Sequence, residues 1–329
     1  MRVTITITRK LFFEVVLCAT ALATNLASAE PADIPRIGVL LPAARVSASE
    51  VGLRGGFREQ GYVEGRDIVI EWRGSSNSIE DARPHAADLV RARVDLIVAL
   101  STSTARAAME VTSTIPIVFV SSDPVAAGLA ESLAKPGANA TGVSVMSPEL
   151  AAKRLDLLQQ LMPHARRIAF LQNPSNASIA MKSAEAKRAA HRLGMHLESF
   201  DARNTTQIEP ALRAIRRSAP DAILIDSDLV LLNERAKIVT AIRKARIPAV
   251  FPWREYHEHG ALLSYGPDYG DVMRRAASYV IKILRGAKPT ALPVEEISKF
   301  DLVIDLRVAR EMNIEVPESL LLRADELIR

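Results

Sequence analysis

Residues 116–143 read PIVFVSSDPVAAGLAESLAKPGANATGV, and how this stretch is parsed decides the fold. Pro116 to Val120 is an apolar run of the length and composition of a buried strand. The SSDPVAAG that follows is a small polar loop, in which Pro124 disfavours a helical conformation at Asp123. The spacing predicts a short apolar helix over Gly128 to Ala134. Lys135-Pro136-Gly137 ends it, with Gly137 at the usual C-terminal glycine position. Thr141 to Val145 then reads as a second strand. Strand, polar loop, helix, turn and strand is the unit of an open parallel sheet, and the loop at a strand's carboxyl end is where such sheets bind ligands.

Outward from this stretch the same alternation continues in both directions. Upstream come strands at Arg36–Leu41, Ile68–Trp72 and Val94–Ala99. Helices at Ala48–Gln60, Ile79–Arg93 and within Ser101–Thr114 separate them. Downstream, Ala151, Leu155, Leu158 and Met162 fall at helical spacing. Strands at Arg167–Leu171, Met195–Phe200, Asp221–Asp226 and Pro248–Phe251 then alternate with further helices. The second series repeats the first: RIGVLLP at Arg36 matches RIAFLQNP at Arg167, IVIEW at Ile68 matches HLESF at His196, VDLIVA at Val94 matches PDAILI at Pro220, and TIPIVFV at Thr114 matches RIPAVFP at Arg246. Four matches in order at a nearly constant offset indicate two lobes of one design, each an α/β doubly wound parallel sheet. A tail remains: a strand-like run at Ala261–Tyr265, a helix at Asp271–Arg285 with Val272, Ala276, Tyr279 and Ile283 on one face, a strand at Leu302–Ile304 and two small helices. A tail that must pack somewhere implies several crossings between lobes, near Val145, Tyr265 and Leu292, which would make a hinge over a cleft.

The 329 residues are enough for two domains. The first ones are read as a targeting segment. Arg2, Arg9 and Lys10 precede an apolar stretch from Leu11 to about Leu26, and Ala27-Ser28-Ala29 is a small-x-small cleavage site. Residues 1–29 are therefore expected to be a signal peptide cleaved after Ala29, with the mature protein periplasmic. The single cysteine, Cys18, lies inside it, so the mature chain is expected to carry no disulfide and no thiolate metal site. Removing residues 1–29 leaves 39 Lys and Arg against 37 Asp and Glu. With no block of like charge, a nucleic-acid role has no support.

The familiar catalytic patterns are incomplete in this sequence. Gly142-Val143-Ser144 is not followed by the glycine of a nucleophile elbow. Gly52 to Gly56 lacks dinucleotide spacing, and there is no phosphate-loop lysine. His257 and His259, two apart, point to different sides of a helix, so His257-Glu258-His259 reads as a solvated helix end rather than a metal site. No cofactor, no metal and no enzymatic activity are expected.

The binding candidates are loop residues at strand ends. Ser101 and Thr102 begin a helix after the third strand. They either cap it or present hydroxyls and amides to a carboxylate. Ser122 and Asp123 follow the fourth strand. Asp123 either closes a turn or holds a ligand ammonium. Asn173 and the group Asp226, Ser227 and Asp228 occupy matching places in the second lobe. Two acids there favour a cationic or zwitterionic ligand, although one could cap the helix at Leu229. Trp253, Tyr256 and Tyr265 are candidates to stack on a ring.

GYVEGRDIVIEW, TIPIVFVSSDPVAAGL, KPGANATGVS, KRLDLL, SYGPDY, YVIKILRGAKPTALPVE and FDLVIDLRVAREMNIEVPESLLLRADELI resemble the substrate-binding proteins of bacterial ABC importers, in particular the group with tryptophan- and tyrosine-type binding proteins. The resemblance runs in order over the whole mature chain. It implies the periplasmic-binding-protein fold of the first type: two Rossmann-like lobes, three connecting strands and a ligand between them. It also implies a small-molecule ligand, an amino acid or organic acid, and an ABC permease in the inner membrane as partner. A monomer is expected. The lobes are expected at 36–145 with 267–289 and at 146–264 with 292–329. A periplasmic ligand sensor and an exported hydrolase are the alternatives. Trp253 stands where a smaller or basic residue is common in that group.

Overall fold

The computed structural model describes residues 34–43, 47–75, 78–145 and 147–329. The expected signal peptide and its cleavage site lie outside the described residues. Two sheets carry the structure. The first contains β1 (Arg36–Leu41), β2 (Val69–Gly74), β3 (Leu96–Ala99), β4 (Ile117–Ser121), β5 (Ala140–Ser144) and β11 (Glu295–Glu296), in the order β11-β5-β4-β3-β1-β2. All of its pairings are parallel. The second contains β6 (Arg167–Gln172), β7 (His196–Asp201), β8 (Ala222–Ile225), β9 (Ala249–Phe251), β10 (Leu263–Gly266), β12 (Asp301–Asp305) and β13 (Glu326–Ile328), in the order β13-β12-β10-β9-β8-β6-β7. Only β10 with β12 is antiparallel there. The four matched sequence pairs occupy matching places: β2-β1-β3-β4 in one sheet and β7-β6-β8-β9 in the other.

The strands form where the sequence is apolar without alternation, because helices cover both sheet faces. In β3 and β8 every residue is buried. Edge strand β7, HLESFD, is polar and half-exposed instead, which blunts an edge that could otherwise pair with another chain. Helices α1 (Ser47–Glu59), α2 (Ile79–Arg91) and α3 (Thr102–Val111) belong to the first lobe. Helices α4 (Ser147–Leu161), α5 (Ile179–Arg192), α6 (Thr205–Ser218), α7 (Leu229–Asn233) and α8 (Arg235–Ala245) belong to the second. Their starts are chemically fixed: the side chains of Ser78, Asn204 and Asp228 accept from first-turn amides of α2, α6 and α7. Helix α9 (Tyr269–Leu284) leaves β10 of the second sheet and returns to pack on α1 of the first lobe. Small helices α10 (Leu306–Glu311) and α11 (Glu318–Leu321) close the chain, α10 starting at Asp305, whose carboxylate accepts from Arg307 N and Val308 N.

Two expectations are corrected. The helix expected over Gly128–Ala134 is a run of turns. Pro124 O accepts from both Leu129 N and Ala130 N, Gly128 has φ +70°, and Glu131 N and Ser132 N turn back to Pro136 O and Lys135 O. These turn bonds, with Val294 N donating to Leu133 O from beyond the segment, take the groups a helix would use. The third crossing between lobes was expected near Leu292, with 292–329 in the second lobe. Strand β11 still pairs with β5, and the chain joins the second sheet only at Asp301.

Candidate functional site

The carboxyl ends of the two sheets meet at a narrow cleft of about 50 Å³. From the first lobe it is lined by Leu100, Ser101 and Thr102 after β3 and by Val120, Ser121 and Ser122 at the end of β4, with Val145 at the crossing. The second lobe supplies Asn176, Ser178, Ser227, Asp228, Leu229 and Trp253, and α9 adds Tyr269 and Val272. Among the described residues, no Lys, Arg or His lines it.

The first-lobe wall is a helix start. Ser101 and Thr104 form a reciprocal capping box on α3, with Ser101 N donating to Thr104 Oγ1 at 2.9 Å and Thr104 N to Ser101 Oγ at 3.2 Å. The first-turn amides of Thr102 and Ser103 have no partner within the helix. They point, with the positive end of the helix dipole, where an anion binds well. Thr102 Oγ1 and Ser121 Oγ lie 2.8 Å apart, which fixes the hydroxyl edge of this wall.

The second-lobe wall centres on Asp228, which is 1% exposed. Oδ1 accepts from Val230 N at 2.9 Å, so Asp228 caps α7, while Oδ2 accepts from Asn176 Nδ2 at 2.9 Å. Asn173 Nδ2 reaches both oxygens at 3.2 and 3.3 Å. Burial pushes the Asp228 carboxyl above its ordinary range, and Lys182 pulls it back. Ser227 Oγ is buried without a hydrogen-bond partner among the described residues. A buried hydroxyl left in that state is rare and calls for a reason; here it lines the cleft.

The remaining wall is apolar. The rings of Trp253 and Tyr269 lie 5.5 Å apart at 53°. The Tyr269 hydroxyl is turned away to Ser49 Oγ at 2.7 Å, in a buried contact between α9 and α1. With Leu100, Val120, Val145, Leu229 and Val272, these rings make a mainly apolar surface.

Of the candidates read from sequence, Ser101, Thr102, Ser122, Ser227 and Asp228 line the cleft. Asp123, Asn173, Asp226 and Tyr265 do not. Asp123 Oδ1 accepts from Ala126 N at 3.0 Å and closes the turn after β4. Asn173 stands behind the wall and orients Asp228. Asp226 is buried in an ion pair with Lys182. Tyr265 packs against Phe300, ring centroids 6.1 Å apart. Tyr256 is fully buried against Phe251 at 4.8 Å, so of the three ring candidates only Trp253 reaches the cleft. His257 is not on a solvated end: Nε2 lies 2.9 Å from Ser264 Oγ, and burial lowers its pKa to about 4.

Sequence reading missed Asn176, Ser178, Lys182 and Tyr269. Asn176 and Ser178 stand in the loop after β6, the counterpart of the loop after β1, and their polarity there was a usable signal. The lobes also touch directly. Ala177 N donates to Ser103 Oγ at 3.1 Å, and Ser178 Oγ donates to Ser122 Oγ at 3.4 Å. A larger groove between α6 and α8 is lined by Leu212, Ile215, Ile223, Ile242 and Ile247. Ile223 and Ile247 mark the amino ends of β8 and β9, away from the converging polar loops.

Comparison with known proteins places this arrangement. A tyrosine-binding protein of Clostridioides difficile (strain R20291) is 26% identical over 251 residues, 76% of this chain and 72% of the relative. A conserved domain protein from Vibrio cholerae O1 biovar eltor superposes with a TM-score of 0.79 at 30% identity, over 90% of this chain and all of that one. An ABC domain from Streptococcus pneumonia in complex with L-Trp gives a TM-score of 0.79 at 27% identity, over 89% of this chain and 99% of that one. The two-lobed architecture is that of type I periplasmic binding proteins. The model of the family described as ABC transporter substrate binding protein matches residues 37–328, and the chain belongs to that family.

Proposed function

We propose that this protein is the exported solute-binding component of an ABC importer, and that it binds an L-α-amino acid with an apolar or aromatic side chain. The observation that carries the reading is the division of the cleft into three chemistries. A helix start with hydroxyls faces a buried carboxylate, and an apolar wall with Trp253 and Tyr269 lies beside them. A ligand carboxylate suits the Thr102 amide and the hydroxyls of Ser101 and Ser122. An ammonium suits Asp228 and the Ser227 hydroxyl as a charge-assisted bond. The side chain fits the apolar wall. Relatives that bind tyrosine and L-Trp support an amino acid. The N-terminal targeting pattern supports a periplasmic protein cleaved after Ala29, handing its ligand to an inner-membrane permease as a monomer without catalysis.

Isothermal calorimetry of the purified protein with L-tryptophan, L-tyrosine, L-phenylalanine and L-leucine tests the reading. At least one should bind with micromolar or tighter affinity and raise the melting temperature by mass action. The same amino acid without its amino group should bind far more weakly. Equal binding of the deaminated acid, or no binding by any of the four, would refute it.

A further inference from the structure

The loop that presents Ser227 and Asp228 to the cleft is held by a lysine that does not line it. Lys182 lies in the first turns of α5 and is 1% exposed. Its Nζ donates to Asp226 Oδ2 at 2.8 Å and to the backbone carbonyl of Ser227 at 2.9 Å. An ion pair alone would need only the first contact. The second fixes the peptide between Ser227 and Asp228, and Asp228 N donates back to Asp226 O at 3.0 Å. The loop 226–228 is thus tied at both ends. It keeps a buried hydroxyl, Ser227 Oγ, without a partner among the described residues, an arrangement a loop would leave if it could rotate the serine to an acceptor.

The charges around the loop are balanced. Lys182 and the fully buried Arg154 face Asp226 and Asp228. Arg154 donates to two backbone carbonyls, Tyr265 O at 2.7 Å and Pro252 O at 3.5 Å, and acts on Asp226 only through space. Tyr256, kept protonated by burial and then by Asp228 and Asp226, adds no charge.

We propose that Lys182 is a positioning residue for the ligand: its ammonium, by holding Asp226 and the Ser227 carbonyl together, aims Ser227 Oγ and Asp228 into the cleft. The proposal rests on the amino-acid reading of that cleft. It separates from a purely structural ion pair through charge replacement. Lys182→Met alone strands Asp226 and destabilises the protein. Lys182→Met with Asp226→Asn removes both charges of the pair and should regain most of the lost melting temperature, because replacing a whole buried pair is often neutral. The carbonyl of Ser227 stays unheld, so affinity should not return.

The experiment is calorimetry with L-tryptophan, L-tyrosine and L-phenylalanine between pH 5 and 8 on wild type, Lys182→Met and the double variant. In Lys182→Met the loss of affinity at acid pH should begin at a higher pH, since Asp228 loses the cation that keeps it ionised. In the double variant that acid limb should move back, while the affinity at its plateau stays at least tenfold weaker than wild type. A double variant that regains wild-type affinity along with its stability overturns the proposal. Should wild type bind none of the three amino acids, the amino-acid reading falls by itself. Hydrogen exchange of the Val230 and Leu231 amides in the empty double variant then decides: exchange at least tenfold faster than wild type supports positioning, and unchanged exchange overturns it.

Discussion

At the scale of single residues, two carboxylates that look alike in sequence have different surroundings. Asp228 accepts from Val230 N, Asn173 and Asn176 in a buried wall, whereas half-buried Asp123 accepts from Ala126 N in a turn. Asp228→Asn keeps a side chain that caps well but removes the charge. Calorimetry should show a loss of about thirty- to several-thousand-fold in affinity, the equivalent of roughly 2–5 kcal/mol, and the empty protein should also melt lower, because an amide nitrogen in place of Oδ2 would face the Asn176 Nδ2 donor. Asp123→Ala should cost only about 1 kcal/mol of stability and leave affinity alone. A second prediction concerns neighbours in the short helix Arg254–His259. Burial raises Glu255 to about 7 and lowers His257 to about 4. The folded protein therefore binds Glu255's proton more tightly than the unfolded chain does, and this contribution to stability fades as pH rises towards and through 7. For His257 the unfolded chain binds the proton more tightly, and its contribution is lost as pH falls from about 6.5 towards 4. The slopes oppose each other between about 4.5 and 6.5 and largely cancel, each being worth at most about 3 kcal/mol. In thermal melts across this range, His257→Gln should become less stable as pH rises, and Glu255→Gln less stable as it falls. Parallel profiles in both variants would refute the pairing. Asp228 stood in the sequence as one of three acids after strand ends, and the pattern alone did not separate it from Asp123, which closes a turn, or Asp226, which pairs with Lys182. Lys182 was not legible, because nothing in a helical lysine says that it is buried beneath a loop 44 residues away.

At the scale of elements, the glycines that fail as a dinucleotide fingerprint find their purpose in helix packing. Gly52 and Gly56 lie one turn apart on α1. A Cβ at Gly52 would stand 2.6 Å from Met273 Cβ, and one at Gly56 would stand 2.8 Å from Arg274 Cα and 2.7 Å from Ala277 Cβ, all on α9. The two helices approach closely only because those side chains are missing. Gly56→Ala forces α9 outward at a backbone atom that cannot yield as a flexible side chain would, and should cost about 1–3 kcal/mol, the usual penalty of overpacking. Urea denaturation reads this directly; a loss below about 0.5 kcal/mol would mean that the seam is loose. Strands were the readable elements, since a strand buried on both faces leaves an unbroken apolar run such as IGVLL or AILI. The segment 128–134 misled because its composition is helical while its conformation is set by contacts beyond it, including Val294 N donating to Leu133 O. The seam itself was invisible because α1 and α9 are more than two hundred residues apart, and one sequence does not say which helix will cover which glycine.

For the whole molecule, the internal repeat made the two sheets legible, and the tail made the repeated crossings between them legible. What the sequence could not supply was how the lobes meet, since that depends on loops approaching from opposite sheets. The meeting is made by Ala177 N on Ser103 Oγ and by Ser178 Oγ on Ser122 Oγ. Ser103 does not line the cleft, so its hydroxyl acts on binding through closure alone. A hydrogen bond of this kind contributes about 0.5–1.5 kcal/mol, which corresponds to roughly a two- to tenfold change in the closure equilibrium. If only the closed form retains ligand, the apparent affinity falls by the same factor. Ser103→Ala should therefore weaken amino-acid binding about two- to tenfold. The change should lie in a faster dissociation rate, because encounter with either open wall is unaltered, and the empty protein should melt within about 0.5 kcal/mol of wild type. Trp253 is one of two tryptophans in the chain and lines the cleft, so stopped-flow fluorescence reads both rates. An unchanged dissociation rate in Ser103→Ala would show that this contact does not hold the lobes together.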